Sequence, residues 1–186
     1  MAIIVNKEEK RRDIAISCSE LLLENGIESI TIAQIAKSAG VGKGTIYEYF
    51  SNKEDIVFEI ITLFIAQHIE ILQQRIDNSS STREKLFNFC YLLFEDDISR
   101  QHLKLYKEFL AISITREPPD MLVFSQECQE RFESILSDIL EDEPIYIPTS
   151  SIMIFHMGLV VESRLESFDV LKEINIFLDM LLSSTK

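Results

Sequence analysis

Chain breakers are scarce in this sequence, and their placement decides what kind of fold the chain can adopt. Only 5 Gly and 4 Pro occur in 186 residues. Most of them fall between segments whose apolar residues recur every three or four positions. At 3.6 residues per turn that spacing lays apolar side chains along one helical face. Ile145-Tyr146-Ile147 has β-like composition but is too short to found a sheet. The expectation is an all-α chain. Its 46% hydrophobic and 26% charged residues are the mixture of a globular protein, long enough to bury a core without staples.

The N-terminal stretch carries three helix-start signatures, each a capping side chain followed three residues later by Glu or Gln. Asn6 with Glu9 opens a first helix, whose stripe is Ile14, Cys18, Leu21 and Leu22. Glu24-Asn25-Gly26 ends it, with Gly26 supplying a left-handed C′ residue. Thr31 with Gln34 opens a second helix with Ile32, Ile35, Ala36 and Ala39 inside. Gly40-Val41-Gly42 breaks it after two turns. A short third helix runs from Lys43 to about Phe50. Ser51 with Glu54 then launches a long helix over about 52–76.

Two short helices joined by a glycine-rich turn and preceded by a longer helix describe a helix-turn-helix. In such a unit the first short helix crosses the phosphate backbone, and the second enters the major groove. A core face through Ile46 and Phe50 leaves Gly44 and Glu48 pointing outward, with Thr45 and Tyr47 on the flanks. Gly44 has no side chain, so backbone and groove could approach closely. Lys53 sits in the first turn of a helix, where the dipole disfavours a cation unless a phosphate is present; the alternative is a solvated surface lysine.

The net charge of −13 argues at first against a nucleic-acid partner. Its distribution softens the objection. Residues 1–55 carry 7 Lys/Arg against 9 Asp/Glu, whereas residues 56–186 carry 11 against 22. The basic residues near the N-terminus are clustered as Lys10, Arg11 and Arg12, followed by Lys43 and Lys53. Local patches bind DNA, not averages.

The stretch from Thr31 to Asp55, TIAQIAKSAGVGKGTIYEYFSNKED, resembles the DNA-binding signature of the TetR family of bacterial regulators. The likeness runs from about Ile14 to Ile56 and includes the Ala-Gly-Val turn, the Lys-Gly-Thr helix start, the Tyr-x-Tyr-Phe aromatics and the Lys-Glu that follows. It implies an all-α homodimer of about nine helices. Residues 1–52 would be the three-helix helix-turn-helix DNA-binding domain, and residues 53–186 a helical ligand-binding and dimerisation domain. It further implies that Thr31 caps the second helix and touches phosphate. Lys43, Gly44 and Thr45 would meet DNA at the start of the recognition helix, while Tyr47, Tyr49 and Lys53 grip the backbone.

Two positions depart from the family pattern. Gly42 stands where the family usually has Ser before Lys-Gly-Thr, an N-cap change worth only a few tenths of a kcal/mol. Glu48 places an acid on the outward face. It either accepts from a cytosine amino group or lowers affinity by repelling phosphates.

Beyond the polar turn at residues 78–81 the pattern predicts helices over about 82–96, 99–115, 119–141, 150–167 and 169–183. The last two are apolar on more than one face, which points to a subunit interface through Phe155, Leu159, Ile174, Phe177, Leu178 and Leu181; two ordinary core helices are the alternative. Candidates for lining a ligand pocket are Phe64 and His68, Phe89 and Cys90, and Tyr106 and Phe109; an ordinary packed core is the alternative.

His68, His102 and His156 fall on three different predicted helices with no metal-ligand spacing, and no nucleotide-binding or nucleophile-elbow motif occurs, so no metal, cofactor or enzymatic activity is expected. Cys18, Cys90 and Cys128 read as buried small apolar residues rather than a disulfide framework. No signal peptide opens the chain, and Ile152–Val161 is too short to cross a bilayer, so a reducing, cytoplasmic setting fits. The implied function is a transcriptional regulator whose partners are double-stranded operator DNA, a second copy of itself and a small molecule. The favoured form is a repressor that leaves a palindromic operator when that effector binds. The alternatives are an activator without an effector, and a protein-interaction module with a degenerate helix-turn-helix.

Overall fold

The computed structural model describes residues 6–117, 119–141, 143 and 147–183. Among these residues there are nine α-helices and no strand. They are α1 (Lys7–Ser29), α2 (Ile32–Ser38), α3 (Lys43–Tyr49), α4 (Lys53–Asn78), α5 (Thr82–Tyr91), α6 (Asp97–Arg116), α7 (Pro119–Leu140), α8 (Thr149–Glu162) and α9 (Val170–Ser183). A 3-10 turn, Leu92–Phe94, follows α5. Of the β-like Ile145-Tyr146-Ile147, the first two lie outside the described residues.

The helix starts follow the sequence, with two shifts of register. Thr31 forms a full capping box with Gln34. Asn6 caps α1 by accepting from the N–H of Glu8, not Glu9. The long helix starts one residue later than the Ser51–Glu54 signature predicts. The Asn52 side chain accepts from the N–H of Asp55 at 2.8 Å, and the Asp55 carboxylate accepts from the N–H of Ser51 at 2.9 Å. Asn and Ser are equally good caps, so the adjacent pair left the choice to packing. Ends moved further. The segment expected as helix over 82–96 tightens into the 3-10 turn after Tyr91. The segment expected to reach residue 167 ends at Glu162, and turns closed by Leu165 N–H to Glu162 O and Phe168 N–H to Leu165 O carry the chain on to α9.

Two compact units share the chain. The first takes the residues up to Ala66 with Lys104–Arg116, and the second takes Gln67–Leu103 with residues from Glu117 onward. In the first, Ile14, Ala15, Cys18 and Leu22 of α1 meet Ile35 and Ala36 of α2, Ile46 and Phe50 around α3, and Ile56, Val57 and Ile60 of α4 in a common core. In the second, α5 packs along α9 and α7, and α7 along α8. Its core holds Leu86, Phe89, Leu136, Ile152, Leu159, Val160, Ile174 and Leu178. Arg83 of α5 ties to α9 through Asp179 at 2.7 Å and Asn175 at 3.0 Å.

Cys18 and Cys90 are buried as expected, whereas Cys128 is only half-buried. Burial pushes the Cys18 thiol up to about 11 and the Cys90 thiol up to about 12, so both stay protonated and behave as small apolar groups. No helix of the described residues is long and apolar enough to cross a membrane. No group of three or more His, Cys, Asp or Glu that could hold a metal ion occurs among them.

Candidate nucleic-acid interface

The interface begins with the turn between α2 and α3. Gly40 adopts φ +65°, and its N–H donates to Lys37 O at 3.2 Å, while the Val41 N–H reaches back to Ala36 O at 2.9 Å. This pair of bonds is a Schellman motif with glycine at the left-handed C′ position. It closes α2 abruptly, so the chain restarts two residues later, with Gly42 as the N-cap of α3 making no side-chain cap bond.

On α3 the inward positions are Ile46, fully buried, and the C-cap Phe50 at 2% exposure. A rotation of 100° per residue then turns Lys43, Gly44, Tyr47 and Glu48 to solvent, with Thr45 and Tyr49 half-buried. Tyr47 is 60% exposed, a large aromatic left in water. A Cβ built at Gly44 meets nothing within 4 Å, so packing among the described residues gives no reason for glycine there. Thr31 at the start of α2 is exposed, and Lys53 at the start of α4 is half-buried. The Lys53 ammonium donates to the carbonyl of Glu28 at 3.1 Å, which anchors it beside the end of α1 while leaving it two further N–H donors.

Arg11, read from sequence only as part of a basic cluster, is an internal strut. Its guanidinium lies 4.4 Å from the centroid of the Phe50 ring and donates to the carbonyl of Tyr49. It also pairs with Glu59 of α4 at 3.3 Å. One side chain of α1 therefore holds the end of α3. Its signal in the sequence is faint: Arg, unlike Lys, has the planar fork for such contacts.

Glu108 of α6 makes a second long-range tie in this unit. Its carboxylate accepts from the N–H of Ile27 at 2.8 Å, just after Gly26 interrupts α1 with φ 76° and ψ 167°. That conformation is essentially restricted to glycine, and a Cβ at Gly26 would stand 2.9 Å from the Glu108 carboxylate. The expected end of α1 at Gly26 is thus a break within the Lys7–Ser29 segment.

The candidate pocket residues fall in both units. In the first, Tyr106 stacks on Phe109 with centroids 6.3 Å apart, and Phe109 meets Phe58 at 6.2 Å; Phe64 is half-buried. In the second, His68 and Phe89 meet through Phe132, at 6.2 and 6.0 Å, and Phe89 meets His156 at 5.4 Å. Cys90 is fully buried. Phe132 and His156 were not among the pocket candidates; one aromatic and one histidine on apolar helices carry no local signal.

The expected interface residues divide in two. Leu159, Ile174 and Leu178 are at most 2% exposed, and Leu181 is 9% exposed, within a single chain. They face the core of their own chain, which leaves them little surface to offer a partner. Phe155 and Phe177 are half-buried and stack on each other with centroids 3.9 Å apart. The exposed apolar residues are instead Ile154, Val161 and Leu165 of α8 and the turn after it, with Leu171, Ile176 and Met180 of α9. Hydrophobicity alone did not say which face points inward.

Residues 19–60 match the family model for bacterial regulatory proteins of the tetR family. A fatty acid metabolism regulator protein of Bacillus subtilis (strain 168) is 39% identical over 80 residues, covering 43% of this chain and 41% of its own length. This chain therefore spans less than half of that relative. An HTH-type transcriptional regulator of Staphylococcus aureus (strain bovine RF122 / ET3-1), SAB2452, is 30% identical over 128 residues, covering 48% of this chain and 69% of its own. The crystal structure of the transcriptional regulator FadR from Bacillus subtilis, in complex with stearoyl-CoA, superimposes with a TM-score of 0.60 at 24% identity, covering 92% of this chain and 97% of that one. That likeness is one of fold. The helix-turn-helix geometry and these matches agree: the chain belongs to the TetR family of bacterial regulatory proteins.

Proposed function

We propose that this chain is a DNA-binding transcriptional regulator, a repressor that holds a palindromic operator as a homodimer and leaves it when a small-molecule effector binds. The observation that carries the reading is the outer face of α3, where Gly44 is bare, Tyr47 stands in water and nothing among the described residues covers either. On this reading Lys43, Gly44 and Thr45 enter the major groove. Thr31, Tyr47, Tyr49 and Lys53 hold phosphates, and Glu48 meets a base edge or sets a limit on affinity. The DNA-binding function then belongs to residues 1–52, and effector binding and dimerisation to residues 53–186. Such a regulator works in the cytoplasm, where the operator is.

The dimer surface is the exposed stripe of α8, Ile154, Gly158, Val161 and then Leu165, at spacings of four, three and four residues, together with Ile176 and Met180 of α9. Gly158 is exposed and a Cβ there meets nothing within 4 Å, so a partner helix can approach closely at that point. Two recognition helices on one dimer must lie about 34 Å apart, or a multiple, to share one face of DNA. An effector that prefers the form with another spacing lowers operator affinity by linkage. The stearoyl-CoA bound by the Bacillus subtilis FadR supports a small molecule as the class of effector.

Binding of genomic fragments by the purified protein, with and without a small-molecule extract of its cells, tests this reading. Retention of a small set of fragments, released by the extract, supports it. Retention that no extract reverses removes the effector. Failure to retain any fragment favours the protein-interaction reading, for which the exposed acid Glu48 on the outer face of α3 is the specific observation.

A further inference from the structure

Within the second unit, four rings from four helices form one cluster: His68 of α4, Phe132 of α7, Phe89 of α5 and His156 of α8. Successive centroids lie 6.2, 6.0 and 5.4 Å apart. Phe89 is 1% exposed, His156 is 5% exposed, and Cys90 beside Phe89 is fully buried. The Nε2 atoms of both histidines are buried and have no hydrogen-bond partner among the described residues. Buried polar atoms are almost always paired. Two orphaned imidazole nitrogens within one aromatic cluster therefore call for a polar group that the described residues do not supply.

We propose that the Nε2 atoms of His68 and His156 are the polar end of an interior site for an uncharged, mainly apolar small molecule carrying one hydroxyl or carbonyl group. The inference rests on the effector reading above and narrows it. Phe89 and Phe132 offer the apolar wall. A neutral imidazole has one N–H and one bare nitrogen, so each ring can take the tautomer that matches a carbonyl acceptor or a hydroxyl donor.

Charge is what the site excludes. Burial holds His156 near 4, and burial, followed by the charges of His156, His102 and Arg75, holds His68 near 4. Both rings are therefore neutral at ordinary pH and give an anion no counter-charge. Arg75 brings no free charge, because its guanidinium pairs with Glu95 at 2.9 and 2.5 Å; a cation finds no buried carboxylate, since the buried polar or charged residues among those described are Ser113 and His156. Polar recognition without charge, inside an apolar wall, is the usual design of a site that orients a neutral ligand.

The test uses the full-length protein with three matched probes: 1-octanol, octanoate and octylammonium. Long-range nitrogen NMR of the imidazoles reads the site directly, and titration gives affinities. Expected are shifts of the His68 and His156 Nε2 resonances on adding 1-octanol, and affinity at least about tenfold above that of either ion, the scale of one discriminating polar contact. His156→Leu loses about tenfold in 1-octanol affinity, and His156→Gln, which keeps a hydrogen-bonding group, loses less.

A second measurement needs no ligand. Replacing an unpartnered buried imidazole by a hydrocarbon relieves its desolvation, so the Tm of His156→Leu rises by about 2–4 °C in a chain of this size. Unmoved Nε2 resonances, equal affinity for octylammonium, or a Tm that falls in His156→Leu overturns the proposal. Operator binding is read separately. If 1-octanol moves the imidazoles without releasing DNA, the site stands and effector-driven release fails. Release without movement of the imidazoles overturns the site.

Discussion

The guanidinium of Arg11 lies 4.4 Å from the centre of the Phe50 ring and donates to the carbonyl of the residue before it, Tyr49. A cation over an aromatic face is worth about 0.5–2 kcal/mol depending on its desolvation. Here it also fixes the exit of α3, the helix proposed to read DNA. Arg11→Ala is expected to destabilise the chain by about 1–2 kcal/mol in urea unfolding and to weaken operator binding, although Arg11 is turned inward. Arg11→Lys should recover little of either, since an ammonium lacks the stacking plane and fork. Full recovery by Lys would reduce Arg11 to a point charge.

Gly44 gives a prediction whose two readouts have opposite signs. Alanine fits the space in the unbound protein, and a helical Gly→Ala change stabilises by up to about 1 kcal/mol. If α3 approaches the floor of the groove at this position, the added methyl obstructs it. Gly44→Ala is expected to raise the Tm and lower operator affinity together. A variant that gains stability and binds as before would place Gly44 away from DNA.

Lys53 already donates to Glu28 O and is proposed to reach a phosphate as well. Lys53→Ala should weaken binding to all sequences alike and reduce the salt slope by about one, because a phosphate contact releases a counterion without reading a base. An unchanged slope would confine Lys53 to holding the end of α1.

The dimer prediction separates two kinds of leucine-like residue that look alike in sequence. Leu178 is fully buried within one chain, so Leu178→Glu should unfold the protein by burying a charge. Ile154 and Met180 are 73% and 65% exposed. Ile154→Glu or Met180→Glu should give folded monomers by light scattering, with helical circular dichroism retained. Dimers that survive both changes would move the interface elsewhere.

Acid sensitivity should follow from His156. Its pKa is lowered by burial to about 4 from an ordinary value of 6.5, so the unfolded chain binds the proton more readily than the folded one. Stability from this group is complete above about pH 6.5 and is lost as pH falls from there towards 4. His156→Leu should flatten that part of the stability–pH curve. Wild-type and variant curves that run parallel between pH 6.5 and 4 would show that His156 does not titrate there.

Local chemistry was legible in the sequence wherever it was self-sufficient. Thr31 with Gln34, and Gly40 three residues before a new helix, each specify a backbone conformation through their own atoms, and both stand in the structure as read. Where neighbours offered equal choices, as Ser51 and Asn52 do, the reading slipped by one residue. Facing was harder. α8 is apolar nearly all round, so periodicity could not separate Ile152 and Leu159 in the core from Ile154 and Val161 at the surface. Long-range ties were invisible. Arg11 over Phe50, Glu108 on the N–H of Ile27, and the rings of His68 and His156 join positions that only the folded chain brings together.

Selection of bound duplexes from a random pool tests the central claim most directly. If α3 reads DNA from a symmetric dimer, the protein enriches an inverted repeat whose half-site centres lie about 34–36 Å apart, or a multiple of that. Glu48→Gln should then either change preference at one base pair in each half-site, worth about 1–3 kcal/mol, or tighten binding uniformly. Enrichment of no sequence by the folded dimer, or of a motif that substitutions at Gly44, Tyr47 and Glu48 leave untouched, would contradict the account.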